Sequence, residues 1–238
     1  MDQNIEDLPH EERHFMASDV VADVVLGMAD GLTVPFAIAA GLSGAHVAST
    51  IVVIGGLSEI AAGAISMGVG GFLSARQEIE HYRAEREREV RETKEVPEQE
   101  KKEVSIILQD FGLEEDQAHP IVEQLSKDRK RWVDFMMRFE LDLERPERLG
   151  ALRSGVTIGL AYAVAGFIPL APYFGVKNVD TALYVSAGVT MLAMFVFGFV
   201  KARITGVNAW VSALQTLALG ALAAGAAFGI SRLIRGGG

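Results

Sequence analysis

Five stretches of this chain, at about residues 20–43, 47–75, 151–172, 180–200 and 207–231, are each predominantly apolar over twenty residues or more. A helix crossing the hydrocarbon core of a bilayer needs roughly 20 such residues. Every backbone polar group there must be satisfied internally, so the stretches read as helices. The charge is gathered elsewhere: 21 of the 31 acidic and 15 of the 22 basic residues lie between Arg76 and Leu149. Only that segregation reconciles 22% charged residues with a mean hydropathy of +0.25. The chain is predicted to be an all-α polytopic membrane protein. An N-terminal cytosolic segment (1–19) precedes transmembrane helices 1 and 2 (20–75). A cytosolic helical insert (76–149) then leads to transmembrane helices 3 to 5 (150–235).

The net charge of −9 comes mostly from the insert, which argues against nucleic acid and for cations as partners. Cysteine is absent, so disulfides, thiolate zinc sites and iron–sulfur clusters are excluded. Any metal must be held by carboxylate, imidazole, thioether or backbone oxygen. Residues 1–13 are acidic and polar, unlike a secretory signal or a basic transit peptide. Among short flanks, Arg76, Arg145, Arg148, Arg153, Lys201 and Arg203 share the insert's side, against Lys177, Arg232 and Arg235 opposite. The positive-inside rule then puts the insert and the N-terminus in the cytosol.

Residues 43–46 are predicted to turn the first helical hairpin, and Pro172 to Gly175 with Lys177 and Asn178 the second. Within the insert, helices are expected from Arg76 to about Lys94, after a break at Val96-Pro97 from about Glu98 to Gly112, and at about 114–126 and 128–143.

Three carboxylates, Asp23, Asp30 and Glu59, fall inside the first two apolar windows. A charge at membrane depth is costly without a partner, water or an ion, so each is a functional-site candidate. Asp30 stands one turn before Pro35, which cannot donate to the Gly31 carbonyl. The expectation is a broken helix with a free oxygen beside a carboxylate, as in cation transporters; the plainer reading is a kinked helix whose Asp meets a hydroxyl. In the second window Gly55, Glu59, Gly63, Met67 and Gly71 recur every fourth residue and form one stripe. Small residues allow a close helix neighbour, and on that packing reading Met67 is filler and Glu59 lacks a partner. Asp23 is a secondary candidate near an interface or entrance.

In the insert, Glu85, Glu89 and Glu92 share one helix face, with Glu100 and Glu103 similarly spaced on the next. Such spacing brings carboxylates within roughly 5 to 6 Å, which is repulsive unless a cation intervenes. Met136, Met137 and Glu140 lie on adjacent turns further on. Carboxylates with thioethers favour a transition metal such as Fe²⁺ over Mg²⁺ or Ca²⁺. Glu85 is a secondary candidate, and His46, His81 and His119 read as surface residues.

The runs Asp30-Gly31-Leu32-Thr33-Val34-Pro35-Phe36-Ala37, Ala40-Gly41-Leu42-Ser43-Gly44-Ala45 and Glu59 to Gly68 resemble the signature of the vacuolar iron transporter family. The resemblance covers essentially the whole chain. It implies proton-coupled export of Fe²⁺, with Mn²⁺ a further cargo, from the cytosol by a homodimer, without a prosthetic group or enzymatic activity. It also implies a transport pathway through Asp30, Glu59 and Met67. The implied cytosolic metal site comprises Glu89, Glu92, Glu100, Glu103, Met136, Met137 and Glu140. The membrane would be the plasma membrane in a prokaryote and a vacuolar-type membrane in a eukaryote. The competing reading is a membrane-anchored metal sensor or buffer, which accounts for the insert but leaves Asp30 and Glu59 unexplained. An intramembrane hydrolase ranks last, since no intramembrane histidine could serve as base.

Overall fold

A computed structural model describes residues 14–147 and 149–236. Residues 1–13, most of the predicted N-terminal segment, and Arg148, used in the topology reading, lie outside the described residues. Eight helices and no strand occur among those described: α1 (His14–Gly44), α2 (Ser49–Glu95), α3 (Pro97–Asp110), α4 (Glu115–Ser126), α5 (Arg129–Phe139), α6 (Gly150–Gly175), α7 (Val179–Thr205) and α8 (Ala209–Gly236). α1, α2, α6, α7 and α8 are long and apolar enough to cross a membrane, as the five windows predict. The chain divides into two compact units, Met1–Leu73 with Leu152–Gly238, and Ser74–Ala151.

In the first unit, Leu32, Phe36 and Ala40 of α1 pack with Ala165 of α6, Met194 of α7 and Ala224 of α8. Ala39, Val52, Ile60, Leu170, Tyr173 and Ala182 form a second cluster. Water exclusion adds little between helices in lipid, so close packing must hold them together. The sequence meets that demand with glycine. A β-carbon on Gly68 of α2 would sit 2.8 Å from the Gly155 carbonyl oxygen of α6, and one on Gly159 would sit 2.9 Å from that of Ala64. The first hairpin turn lies at residues 45–48, two residues beyond the expected 43–46, with His46 in the left-handed region at φ 49°. Asn178 caps α7 by accepting from the Thr181 amide at 2.9 Å, and Gly206 ends it at φ 73°.

Two expectations about proline are corrected. α1 is unbroken through Pro35, and α6 continues through Pro169 and Pro172 to Gly175, moving the second turn to residues 176–178. Neighbouring helices can satisfy what a proline frees. Close to these prolines the Ser186 hydroxyl of α7 donates to the Pro169 carbonyl at 2.6 Å, tying α7 to α6.

In the second unit, Val104, Val122, Trp132 and Met136 form the core, flanked by Leu108, Leu125 and Phe135. Each break between its helices has a chemical cause. Pro97 opens α3, and Gly112 at φ 94° lets the Leu113 amide return to the Leu108 carbonyl. Glu114 and Gln117 form a capping box on α4, and Asp128 accepts from the Lys130 and Arg131 amides to start α5. α5 ends at Phe139, short of the predicted 143, because the chain turns left-handed at Asp142 and the Leu143 amide bonds back to Met137.

Candidate functional site

The 47 residues of α2 span about 70 Å at 1.5 Å per residue, more than twice the hydrocarbon thickness. Its second half is therefore outside the bilayer, and there Glu85, Arg88, Glu89 and Glu92 line one face. The break at Val96 and the start of α3 return the chain, so that Glu100, in the first turn of α3, meets that face. Carboxylate oxygens of Glu89, Glu92 and Glu100 lie within 4.8 Å of one another. Glu89 is only 1% exposed and Glu100 3%.

Two ionised carboxylates 4.8 Å apart repel by about 3 kcal/mol at an effective dielectric constant of about 20. Burial, reinforced by Glu140 and Glu92, pushes the Glu89 carboxyl up to about 7, with Arg88 opposing. Burial followed by Glu103, Glu89, Glu92 and Glu140 does the same to Glu100, also to about 7. Glu140, the C-cap of α5, is raised by burial and then by Glu103 and Glu92. The five glutamates thus share one field. Met136 and Met137, both fully buried on α5, stand one turn before Glu140, Met136 within the core cluster. Glu85 pairs with Arg88 at 2.9 Å and lies 3.9 Å from His81. The buried Oε2 atoms of Glu89 and Glu100 accept no hydrogen bond from the protein. A cluster of hard oxygen donors with unused lone pairs fits a divalent cation.

In the first unit, the phenol of Tyr162 on α6 donates a short hydrogen bond to Glu59 Oε1, while Glu59 Oε2 is buried without one. This corrects the expectation that Glu59 has no partner. Gly63, one turn further along α2, leaves room for the Tyr162 ring, and Gly31 of α1 packs on the Tyr162 backbone. Asp30, half-buried on α1, lies within electrostatic reach of the same phenol. Tyr162 thus bonds Glu59 and packs through its backbone against α1 at Gly31, next to Asp30. Met67 is half-buried two turns beyond Glu59. Asp23 accepts a 3.0 Å hydrogen bond from Ser154 of α6.

Sequence reasoning passed over Arg88, Tyr162 and Ser154. Arg88 was detectable, since it stands three residues after Glu85 and four before Glu92. The two hydroxyls lie more than a hundred residues from their carboxylates and gave no local signal.

Residues 21–232, which carry every one of these groups, match the VIT family. The chain belongs to the VIT family. It is 50% identical over 226 residues to "Vacuolar iron transporter 1" of Tulipa gesneriana, covering 95% of this chain and 92% of that protein. It is 47% identical over 226 residues to "Vacuolar iron transporter 1" of Arabidopsis thaliana, covering 95% and 90%. To "Protein CCC1" of Saccharomyces cerevisiae it is 35% identical over 223 residues, covering 90% and 69%. Membership of the VIT family thus extends over both acidic constellations.

Proposed function

We propose that this VIT-family chain carries Fe²⁺ out of the cytosol in exchange for protons, with Mn²⁺ a further cargo. The observation that carries the reading is the carboxylate of Glu59, hydrogen-bonded to Tyr162 through one oxygen and buried without a partner at the other, with α1 packed on the Tyr162 backbone at Gly31, beside Asp30. Two carboxylates held in apolar helices can each take either a metal or a proton, and both states are needed for exchange. The relatives' names support iron as the ion.

Moving a divalent cation out of a negative-inside compartment costs about 4.6 kcal/mol per 100 mV. Export therefore requires coupling. Protonation of Asp30 and Glu59 from the far side releases the metal, with Met67 as the softer ligand, and deprotonation towards the cytosol restores the site. Glu89, Glu92, Glu100, Glu103, Met136, Met137 and Glu140 form a cytosolic loading site in the insert, 76–149. Asp23, tied to Ser154, stands at the entrance. The flank charges of Arg76, Arg145, Arg153, Lys201 and Arg203 support a cytosolic insert and N-terminus. The protein works as a homodimer in a vacuolar-type membrane in a eukaryote, or in the plasma membrane in a prokaryote.

Proteoliposomes holding a metal-quenched dye and an imposed pH gradient test this. The wild-type chain should quench the dye only with the gradient, and Asp30→Ala should lower the rate at least tenfold. An Asp30→Ala rate equal to wild type would reject the mechanism. Metal binding in detergent without any wild-type flux would favour the sensor reading, which the insert's own core and acidic cluster support.

A further inference from the structure

Among the described residues Arg88 is the cation that reaches into the acidic face, and the loading site described above has no use for it. Its guanidinium reaches three carboxylates: Nη1 is 2.9 Å from Glu85, Nη2 3.6 Å from Glu89 and Nε 3.5 Å from Glu92. Arginine binds a carboxylate most strongly as a planar fork, two nitrogens to one group. Here each nitrogen is turned to a different glutamate, and the buried Nε makes no hydrogen bond. The side chain is nevertheless 44% exposed, so it has an open way to solvent. Such a group is held by net charge and not by directional bonds.

We propose that Arg88 is the resident cation of this site, neutralising the glutamate face until a divalent ion displaces it towards solvent. The inference rests on the reading of Glu89, Glu92 and Glu100 as metal ligands. Its consequence is selectivity by charge. A monovalent ion entering would replace one positive charge by another and must also shed water, so it gains nothing. A divalent ion adds a net charge among carboxylates that repel one another, and can draw in the oxygens of Glu89 and Glu100 that Arg88 leaves unbonded. Arg88 therefore sets the metal concentration at which the insert loads.

Calorimetric titration of Mn²⁺ into the full chain in detergent micelles tests this. Arg88→Gln should bind Mn²⁺ on the order of tenfold more tightly, as expected for removing one nearby positive charge from a solvent-accessible site. KCl should then compete with Mn²⁺ in Arg88→Gln beyond the effect of equal choline chloride, and should not do so in wild type. Arg88→Lys, which keeps the charge, should stay near wild type. Equal or weaker Mn²⁺ binding by Arg88→Gln would overturn the proposal. A second readout needs no variant: Mn²⁺ should speed phenylglyoxal modification of Arg88 several-fold by mass spectrometry, and an unchanged or slower rate would count against displacement. Glu100→Gln separates the two levels. If it leaves wild-type binding intact, the metal-ligand reading falls and the inference with it; if it weakens binding while Arg88→Gln changes nothing, only the role of Arg88 falls.

Discussion

A single phenol holds one of the membrane carboxylates of this chain, Glu59. Tyr162 donates to Glu59, backs onto Gly31 and sits near Asp30, so it fixes a group that the apolar surroundings would otherwise leave unpaired. Removing the hydroxyl strands a buried carboxylate oxygen, at a cost of about 1 to 3 kcal/mol. Tyr162→Phe should therefore lower the melting temperature in detergent and slow metal flux in proteoliposomes several-fold. Unchanged flux and stability would show the bond to be incidental. The partners of the insert glutamates were easier to anticipate, because 85, 88, 89 and 92 are helix neighbours by spacing alone. The partners of Glu59 and Asp23 come from α6, more than a hundred residues away, and no local pattern points to them.

Among the elements, α2 carries the most: one uninterrupted helix holds Glu59, Met67, Glu85, Glu89 and Glu92. Its apolar half approaches α6 through Gly68 over Gly155 and Ala64 against Gly159, where backbone meets backbone. Gly68→Val would push atoms into the Gly155 carbonyl, and overpacking of this kind costs about 1 to 3 kcal/mol. The variant should melt earlier in detergent, whereas Gly70→Val, where a side chain would meet nothing within 4 Å, should melt like wild type. Equal losses in both would mean that helix contact is not the cause. The prolines carry the opposite lesson. Read locally, Pro35 breaks α1 and Pro172 ends α6; in the fold both sit within continuous helices. Packing against other helices outweighs the loss of one intrahelical bond, and that compensation is invisible in the segment itself.

For the molecule as a whole, the acidic cluster makes stability depend on pH in a direction opposite to that of most carboxylates. Glu89 and Glu100 are held up to about 7, above the ordinary value of 4.5, so the folded insert binds these protons more tightly than the unfolded chain. Their contribution is fully present below pH 4.5 and is lost as pH rises through about 7. Metal-free, the helical signal of the insert should melt later at pH 5.5 than at pH 8. Added Mn²⁺ should reverse the order, since the metal needs the deprotonated carboxylates and its affinity falls by up to tenfold per pH unit for each proton displaced. Circular dichroism melts of the full chain at the two pH values, with and without Mn²⁺, give the comparison. A metal-free chain more stable at pH 8 would contradict the burial assigned to Glu89 and Glu100.

Sequence alone determined the all-helical class, the five apolar spans and the glutamates on one helix face, because each is set by composition or by spacing within one helix. It also named Asp30 and Glu59, since a charge in an apolar window is conspicuous wherever the window folds. Tertiary structure decided what those charges touch. Tyr162 on Glu59, Ser154 on Asp23, Glu100 brought back to Glu89, and helices running on through their prolines all depend on contacts between distant segments. Such contacts exist only once the chain has packed, when a buried polar atom must take its partner from whichever helix lies beside it.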